Sequence, residues 1–530
     1  MKYRYLLSCL AIMAGCTSGF ERFNTNPNEA TEEQIDWDNA RTGANFLQME
    51  QNVLVVAQPG AGIGTDRYQT VEMMGGDAFV GYWGFPAPDI NSCTRYSWSK
   101  ASWYGDMFTT NYSRTMNAWR MLKLAIGDDS DPRFALAQIL KVAAMHRVTD
   151  TYGPIPYLDF GVGDEVRYDS QKDVYYRFFE ELSSAVEVLY PYAAGGQTLF
   201  ADYDCVYRGD ISKWVKFANT LRLRLAMHIA YSDPVKARVE AEAAASDPGG
   251  MMVRADEFAR LQHITPIDNY ESPVYIVAGW GDLRLGATLQ SYMTGYNDPR
   301  LKAWFHECTS GGYQGIRAGM ANTILKNSYA PEEGYVTSCK FSIPVTGSTA
   351  DVVWMRASET YFLLAEAALR GWDVGGTAAS FYEEGVKMSF SENNVGGAEE
   401  YLLDRVSTPA DYTDPVTSSY SKNAMGDITI SWDDAADDET KLERIITQKY
   451  IALFPVGQEA WTEFRRTGYP KVFPVCVNES NGGCVDDNLQ IRRLAFPESE
   501  YNTNYAELQN GIALLGGPDN PGTRLWWDAR

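Results

Sequence analysis

The feature that most constrains the fold of this chain is a series of amphipathic helical patterns, each bounded by start and stop signals. In one of them, Asp131-Pro132 provides an N-cap with proline in the first turn, and apolar residues follow at helical spacing until Tyr152-Gly153-Pro154 ends the pattern. Similar patterns begin at Asp173 and Asp210, and we expect each to end near a proline, the first of them at Pro191. Patterns of this kind dominate the chain, and they predict a mainly α-helical protein.

The helical patterns come in pairs. Residues 361–369 and 378–388 form two such patterns joined by a turn that contains glycine. The pairs are similar in size to tetratricopeptide units, and small residues such as Ala365 and Ala368 lie where paired helices touch, although the repeat is degenerate. We therefore predict a scaffold of tetratricopeptide-like helical pairs. Its helices are expected mainly within residues 41–60, 105–260, 350–395 and 438–470.

Three long stretches lack a long helical pattern; the first two are rich in glycine, proline and aromatic residues, and the third is rich in loops. They are residues 61–104, 265–347 and 396–437. Periodicity does not assign their many rings to a core. Long irregular stretches in compact proteins are usually functional. We therefore predict a loop-rich half, packed against the scaffold, that carries the ligand site, although for any single ring packing within its own loop is an equally good explanation.

The first residues are typical of an export signal. A short basic head with Lys2 and Arg4 precedes an apolar run that is too short to cross a bilayer, which needs about 20 residues. Small residues lead directly into Cys16, and this arrangement resembles the lipobox of bacterial lipoproteins. We predict a signal peptide over residues 1–15, lipidation at Cys16, a tether over residues 16–40 and a single body over residues 41–530. The alternative is an ordinary signal peptide in which Cys16 is incidental.

Charge and composition exclude some partners and favour others. With 46 Lys and Arg against 69 Asp and Glu, the formal net charge is -23, which disfavours binding to nucleic acid or to an anionic lipid surface. The chain also contains 14 Trp and 33 Tyr, more than a core of this size needs. We expect some of these rings to be exposed and to bind a ligand.

Six of the eight cysteines remain once the signal peptide and the lipidation site are set aside. Cys476 and Cys484 flank a turn-forming segment that would let them approach, so we predict a disulfide between them. The pairing of the other four stays open; they are Cys93, Cys205, Cys308 and Cys339. No CxxC pair occurs, which argues against structural zinc.

Searches for catalytic and metal motifs find little. None of the four histidines lies in HExxH, and neither a GxSxG elbow nor a Walker loop occurs. The acidic run over residues 433–439 lacks the glycine and the terminal glutamate of an EF-hand loop, so the start of a helix is favoured over a calcium site. We predict neither a metal nor a cofactor. A glycosidase carboxylate pair stays open, because spacing in sequence does not show spacing in space.

Several longer segments resemble the SusD/RagB family of outer-membrane nutrient-binding lipoproteins, in the family's order and across essentially the whole mature chain. The segments are Tyr152-Gly153-Pro154-Ile155-Pro156, Arg208-Gly209-Asp210, Asn297-Asp298-Pro299-Arg300-Leu301, Arg356-Ala357-Ser358-Glu359-Thr360, residues 457–468 and Arg493-Leu494-Ala495-Phe496-Pro497.

The resemblance implies four tetratricopeptide-like pairs that support an irregular half with the ligand site. It also implies a lid over a SusC-like TonB-dependent transporter, which captures oligosaccharides at the cell surface and delivers them for import without catalysis. The lipid at Cys16 would attach the protein to the outer membrane. Thr17-Ser18-Gly19-Phe20 precede the first acidic residue, whereas the family's surface-export signal usually has acidic residues directly after the cysteine. Membrane attachment is therefore better supported than display on the cell exterior.

The family has no universal ligand residues, so the candidate site is argued from chemistry. A sugar presents flat apolar faces and a rim of hydroxyls, so its binder needs exposed rings together with hydrogen-bonding side chains. The two aromatic loop regions over residues 75–104 and 270–296 supply both. The candidate ligand-binding residues are Asp77, Tyr82, Trp83, Trp98, Trp280 and Tyr296. A peptide-binding member of the family and, less favoured, a surface glycoside hydrolase remain alternatives.

Overall fold

The structure of the chain is a computed structural model. The residues that it describes are 40–58, 62–162, 166–264, 270–329 and 340–530. The predicted signal peptide, the lipidation site Cys16 and the tether before residue 40 lie outside the described residues, as does Cys339.

The first half of the described chain contains nine α-helices. They are α1 Ala40–Val53, α2 Asp66–Tyr68, α3 Gly76–Phe79, α4 Asp106–Asn111, α5 Asn117–Ile126, α6 Pro132–Tyr152, α7 Gln171–Ala194, α8 Ile211–His228 and α9 Pro234–Ala245. Two π-helical segments, Gln69–Met73 and Tyr112–Met116, follow α2 and α4, and two 3-10 segments cover Ile90–Arg95 and Ala101–Gly105.

The second half contains eleven further α-helices within the described residues. They are α10 Pro273–Gly279, α11 Ala287–Gly295, α12 Leu301–Trp304, α13 Asn322–Ser328, α14 Ala357–Leu369, α15 Ala378–Glu392, α16 Ala398–Leu402, α17 Asp438–Leu453, α18 Gly457–Thr467, α19 Glu498–Thr503 and α20 Tyr505–Leu515. Short 3-10 segments cover Ser418–Tyr420 and Asn481–Gly483. No helix in the described ranges has both the length and the apolar character that crossing a membrane requires.

The strands are few and short. β1 (Trp83–Gly84) pairs antiparallel with β3 (Arg284–Leu285), and Trp83 lies opposite Leu285. β2 (Ala259–Leu261) pairs antiparallel with β4 (Val352–Met355), with an irregular register after Ala259. The β1–β3 ribbon therefore joins two parts of the irregular half, and the β2–β4 ribbon joins the two scaffold segments that flank residues 265–347.

The helices pack in pairs, which confirms the predicted mainly α-helical fold with a tetratricopeptide-like scaffold. α6 packs against α7, α8 against α9, α14 against α15 and α17 against α18, while α1 packs against α5. The predicted starts at Asp131 and Asp210 are N-caps, whereas Ser170 caps α7 and Asp173 lies in its first turn. The Asp131 carboxylate accepts the N–H of Arg133 at the start of α6, and that of Asp210 accepts the N–H groups of Ser212 and Lys213 at the start of α8.

One predicted helix end is wrong by three residues. We expected the pattern from Asp173 to stop at Pro191, but α7 continues to Ala194. A proline removes only its own N–H bond, and the turn after it still closes because the N–H of Gly195 donates to the carbonyl of Pro191 at 3.1 Å.

The acidic run over residues 433–439 begins a helix, as the sequence predicted. The Asp437 carboxylate accepts the backbone N–H of Thr440 at 2.8 Å and caps α17. Asp438 and Glu439 occupy its first turn, where negative side chains stabilise the positive end of the helix dipole.

A buried network of ion pairs joins four scaffold helices. Arg224 of α8 contacts both carboxylate oxygens of Glu359 in α14, at 2.8 and 2.6 Å. Lys449 of α17 lies 3.4 Å from Glu459 and 3.0 Å from Glu463, both in α18. All five side chains are almost completely buried. Removing one partner of such a network leaves an uncompensated buried charge, so the network holds these helices in a single arrangement.

The irregular half docks onto the scaffold through two glycines that allow a close approach. A Cβ added at Gly76 in α3 would overlap the backbone of Gln458, and one added at Gly457 would overlap the Cα of Asp77. The N–H of Gly457 donates to the Asp77 carboxylate at 2.8 Å. The aromatic loops that follow α3 are therefore anchored at the N-terminus of α18.

Candidate ligand-binding site

Four of the six candidate ligand residues lie inside the protein. They are Asp77, Tyr82, Trp83 and Tyr296, each at most 2% exposed. A buried ring offers no face to a sugar and a buried carboxylate cannot reach its hydroxyls, so the structure corrects the assignment of the three rings to stacking and of Asp77 to hydrogen bonding with the ligand. These rings pack the irregular loops down onto the scaffold. Such packing is the alternative to ligand binding that the sequence left open for any single ring.

Asp77 and Trp83 form part of the anchor of the irregular half. The indole N–H of Trp83 donates to the Asp77 carboxylate at 3.1 Å. The Trp83 ring packs edge-on against Phe305 and Phe454, with centroids 5.7 and 5.1 Å away. Burial, followed by the negative charge of Glu72, raises the pKa of Asp77 well above its usual value. These contacts show a structural role for both residues.

The two buried tyrosines also hold loops in place. The hydroxyl of Tyr82 donates to the backbone carbonyl of Tyr450 in α17. That of Tyr296 donates to the carbonyl of Ile428 at 2.9 Å. Both residues therefore use their polar group inside the core.

Trp98 and Trp280, the other two candidates, reach the surface at different places. Trp280 is 43% exposed at the C-terminal end of α10. Trp98 is half-buried, and its ring lies parallel to that of Phe79, with centroids 6.0 Å apart and planes 5° apart. Trp98 lines a cavity, which we call the aromatic cavity.

The aromatic cavity has a volume of about 360 Å³ and is lined mainly by apolar groups. It brings together the end of the first aromatic loop and the C-terminal part of the chain. Its lining residues are Tyr96, Trp98, Tyr104, Asn481, Ile491, Leu494, Ala495 and Pro521. Three aromatic rings thus share one concave surface with an amide side chain, which is the combination that sugar binding requires.

The first wall of the aromatic cavity depends on an unusual backbone. The 3-10 segment Ile90–Arg95 ends at Tyr96, whose φ of 63° lies in the left-handed region. Such a conformation costs about 1 to 3 kcal/mol for a residue with a side chain and clusters at functional sites. The turn at Tyr96 is followed directly by Trp98. The backbone N–H of Ser99 then donates to the hydroxyl of Ser92 at 2.9 Å and closes the loop.

Glu479 connects this wall to the opposite wall, which the C-terminal part of the chain forms from residue 481 onward. Its carboxylate accepts hydrogen bonds from Nε of Arg95 at 2.9 Å and from the hydroxyl of Ser97 at 2.7 Å. The N–H of Glu479 donates to the carbonyl of Arg95 at 2.9 Å. Asn481 follows two residues later, so this clamp sets the position of its amide relative to Trp98.

Both tyrosines of the aromatic cavity keep their protons. Burial, followed by the negative charges of Glu498 and Asp519, raises the pKa of Tyr104. Burial also raises the pKa of Tyr96, whose hydroxyl lies close to the backbone N–H of Ile491 without reaching hydrogen-bond geometry. The Tyr96 hydroxyl is buried, so the neutral hydroxyl of Tyr104 and the Asn481 amide are the polar groups that accompany the rings.

The lining of the aromatic cavity has the side chains of a binding site. None of its eight lining residues is an aspartate, a glutamate, a histidine or a cysteine. General acid–base and nucleophilic hydrolysis of a glycoside use a pair of carboxyl groups that flank the scissile bond. The arrangement can therefore stack on a sugar and donate hydrogen bonds to it, but the cavity wall itself supplies no such pair.

Within the described residues, His228, Glu459 and Glu463 are the group with the spacing of metal ligands. Their carboxylates are already paired with cations. Glu459 lies 3.4 Å from both Arg224 and Lys449, and Glu463 lies 3.0 Å from Lys449. These positive charges would repel a metal ion, so we assign the group to the buried ion-pair network.

The predicted disulfide is wrong, because both Cys476 and Cys484 are free thiols in the structure. Cys476 packs against a small cluster around Ile316 and Met320, whereas Cys484 packs against the main core. The turn between them brings the chain back without bringing the sulfurs together. Burial raises the pKa of Cys476 to about 11, so this thiol stays protonated and unreactive.

Sequence reasoning missed most of the cavity lining. Tyr96 and Tyr104 lie in a stretch that it singled out, but nothing local separates them from the buried rings beside them. Leu494 and Ala495 lie in a segment noted only for its family resemblance. Asn481 lies in the turn between Cys476 and Cys484, which was interpreted only in terms of a disulfide, and Pro521 carried no signal, because both reach the cavity only through tertiary packing.

A scaffold of paired helices that supports an irregular half with an open aromatic cavity defines a class of helical-repeat binding proteins. Comparison with known families gives the particular group. The family model described as SusD-like, SusD and RagB outer membrane lipoprotein, matches residues 22–528. The chain therefore belongs to the SusD-like family, which confirms the resemblance found in the sequence.

Solved structures of family members agree with this assignment. A chitin-binding SusD homologue from Flavobacterium johnsoniae is 38% identical with a TM-score of 0.85, and the match covers 92% of this chain and 98% of that protein. A SusD homologue from Bacteroides uniformis is 35% identical with a TM-score of 0.84 and coverages of 92% and 99%. One from Bacteroides vulgatus is 34% identical with a TM-score of 0.84 and coverages of 93% and 99%. No curated protein has a significantly matching sequence.

Proposed function

We propose that this protein binds neutral oligosaccharides in the aromatic cavity, does not hydrolyse them, and passes them to a SusC-like TonB-dependent transporter in the outer membrane. One observation carries the proposal. The rings of Tyr96, Trp98 and Tyr104 share a concave surface whose lining contains no carboxylate. Ring stacking binds the apolar face of a sugar, and the neutral hydroxyl of Tyr104 and the Asn481 amide bind its hydroxyl groups.

The charges around the aromatic cavity favour a neutral ligand. Glu498 and Asp519 act on Tyr104, and Asp487 acts on Tyr96. An acidic sugar would be repelled by these carboxylates as well as by the net charge of -23. Chitin-derived oligosaccharides are neutral, and a relative that is 38% identical binds chitin. They are therefore our first candidates for the ligand.

Two further parts of the proposal, delivery of the ligand to a transporter and attachment to the membrane, are supported by the family to which the chain belongs. Members are outer membrane lipoproteins, and we propose that lipid on Cys16 anchors this one, with its binding face toward the cell exterior. The partner would be a SusC-like transporter that accepts the captured glycan.

The alternatives differ in what they bind or release. A peptide-binding member of the family would retain oligopeptides rather than glycans. A glycoside hydrolase would release reducing ends from its substrate. The cavity lining contains no acidic residue. It therefore offers neither the carboxyl pair that glycoside hydrolysis uses nor a charged partner for a cationic peptide.

The test is a retention screen with a soluble form of the chain that begins after Cys16. Immobilised chitin, starch, xylan, pectin and a mixture of casein peptides would be compared, together with an assay for new reducing ends. We expect saturable retention on a neutral polysaccharide without reducing ends. Retention on peptides alone, retention on none of the ligands, or hydrolysis of the bound glycan would contradict the proposal.

A further inference from the structure

We infer that the binding surface continues beyond the aromatic cavity into a second groove, so that the ligand is a glycan chain long enough to occupy both. This inference rests on the proposed function and deepens it. It concerns the length of the ligand, which the aromatic cavity alone does not determine.

The second groove lies between α4, α5 and the described residues 156–161 and 166–167 that follow α6. Two neighbouring cavities of about 360 and 210 Å³ form it. They share four lining residues and therefore make up one continuous depression, which we call the Phe160 groove. The shared residues are Asn117, Pro156, Phe160 and Val166.

The lining of the Phe160 groove has the two kinds of surface that a sugar recognises. The half-buried rings of Tyr112 and Phe160, with centroids 5.8 Å apart, form an apolar floor. Thr109, Ser113 and Asn117 are exposed along one side of the helical stretch and offer two hydroxyls and an amide. This composition matches that of the aromatic cavity, with rings below and small polar groups at the rim.

The charges at the rim favour a neutral chain here too. Arg120 and Arg167 are balanced by Asp159 and Glu500. A balanced rim gives no preference for an anionic or a cationic ligand, whereas a polyhydroxylated chain can use both signs as hydrogen-bond partners.

Two chain segments run from one site to the other. Tyr104 lines the aromatic cavity, and Phe108 and Thr109 line the Phe160 groove. On the second segment, Ala495 lines the cavity and Glu500 lines the groove. Each segment is at most five residues long, and five residues span at most about 18 Å even when fully extended, so the two sites are neighbours.

A continuous row of rings lies beneath the two sites. The hydroxyl of Tyr152 donates to the carbonyl of Tyr104 at 2.5 Å, and its ring packs edge-on against Phe108 at 5.5 Å. Phe108 lies 4.5 Å from Tyr112, which in turn contacts Phe160. The two sites therefore share one packed support and can hold one chain in a fixed relative geometry.

The backbone of the groove is also specialised. The helical stretch changes to a π-helix over Tyr112–Met116, and the Tyr112 hydroxyl donates to the carbonyl of Pro156 at 2.6 Å. π-Helical turns are rare and occur frequently at functional sites. Here the hydrogen bond ties the π-helix to the opposite wall, which keeps the groove open at a defined width.

The test compares a short and a long ligand on the soluble chain. The glycan retained in the screen is titrated as its disaccharide and as its hexasaccharide by calorimetry. Asn117→Arg fills the groove, Phe160→Ala removes part of its floor, and Trp98→Ala removes a ring of the aromatic cavity. We expect both groove variants to weaken hexasaccharide binding by roughly fivefold or more, as loss of about 1 kcal/mol implies, with disaccharide binding unchanged.

Matched controls use exposed positions that do not line the groove. Ala125→Arg adds the same side chain on α5, and Leu158→Ala shortens an apolar residue in the same loop as Phe160. Circular dichroism checks that every variant is folded. Equal hexasaccharide affinity in the groove variants and the wild type would overturn the inference and leave the proposed function intact. Failure of the wild type to bind the hexasaccharide would instead contradict the proposed function itself.

Discussion

At the scale of single residues, Trp83 and Trp98 show how burial divides similar rings between two roles. Trp83 is enclosed by Phe305 and Phe454 and bonded to Asp77. Trp98 lies on Phe79 with part of its ring open to the aromatic cavity. Both occur in the same aperiodic stretch, so the sequence identified the right segment but could not tell its buried rings from its exposed one. That difference is set by distant residues such as Phe454.

Replacement of Trp83 by Ala should therefore cost stability. Removing a large buried aromatic side chain costs about 3 to 5 kcal/mol, because both transfer free energy and contacts are lost. We expect urea denaturation to show a fall of that size in the free energy of unfolding. A variant with wild-type stability and reduced glycan affinity would contradict the structural role given to this ring.

His228 in the buried ion-pair network makes stability depend on pH. Its Nε2 lies 3.1 Å from Glu459 and its Nδ1 lies 3.3 Å from Asp150. Burial alone would lower the pKa of His228, but the two carboxylates raise it to about 9. Because the unfolded pKa is near 6.5, the folded state holds the proton more tightly. This stability is fully present below pH 6.5 and is lost as the pH rises through 9.

We expect wild-type unfolding free energy to fall between pH 6.5 and pH 9.5 by an amount on the order of 3 kcal/mol from this residue. The measurement is urea denaturation across that interval. His228→Gln cannot titrate and should show a flatter profile. Equal slopes for the wild type and the variant would show that the proton on His228 does not couple to folding.

At the scale of elements, the helices were the predictable part. Caps such as Asp131 and Asp210 and the helical spacing behind them are local signals, so the scaffold could be read from the sequence. The docking of the irregular half was not predictable, because it depends on α3 meeting α18 across almost 400 residues of chain. Gly76 and Gly457 make that contact possible, yet an isolated glycine has many explanations.

Gly457→Ala should loosen this docking. The added methyl group overlaps the Cα of Asp77, so the two elements must separate or distort, at a cost of about 1 to 3 kcal/mol. Gly347→Ala is the matched control, because a Cβ there meets no atom within 4 Å, and its effect should stay within about 0.5 kcal/mol. Thermal melting of both variants gives the comparison. Equal midpoints would show that the close approach is not needed.

At the scale of the whole molecule, the aromatic cavity forms where residues 96–104 meet residues 481–521. Secondary-structure patterns carry no information about such a meeting, and the aromatic content of residues 75–104 indicated one side of the site but not its partner segment. Attachment of the protein to the membrane also concerns the whole molecule. The family is one of outer membrane lipoproteins, and we propose Cys16 as the point of attachment of this member.

Cys16→Ala should release the protein from the membrane. Without the thiol no lipid can be attached there, so we expect the variant in the soluble fraction after cell breakage. The assay is fractionation in cells that lack the proposed transporter, with Cys93→Ala as the control. Retention of the Cys16 variant in the membrane fraction would mean that another element provides the anchor.

The central claim is that ring stacking in the aromatic cavity binds a neutral glycan without turnover. Calorimetric titration of the soluble chain with chitin hexasaccharide, for the wild type, Trp98→Ala and Trp280→Ala, tests it most directly. Trp98→Ala removes a ring face worth about 1 to 3 kcal/mol, so affinity should fall roughly tenfold or more. Trp280 does not line the cavity, so its variant should match the wild type, and no sample should release reducing ends. Unchanged affinity in Trp98→Ala, or cleavage of the hexasaccharide by the wild type, would contradict the claim.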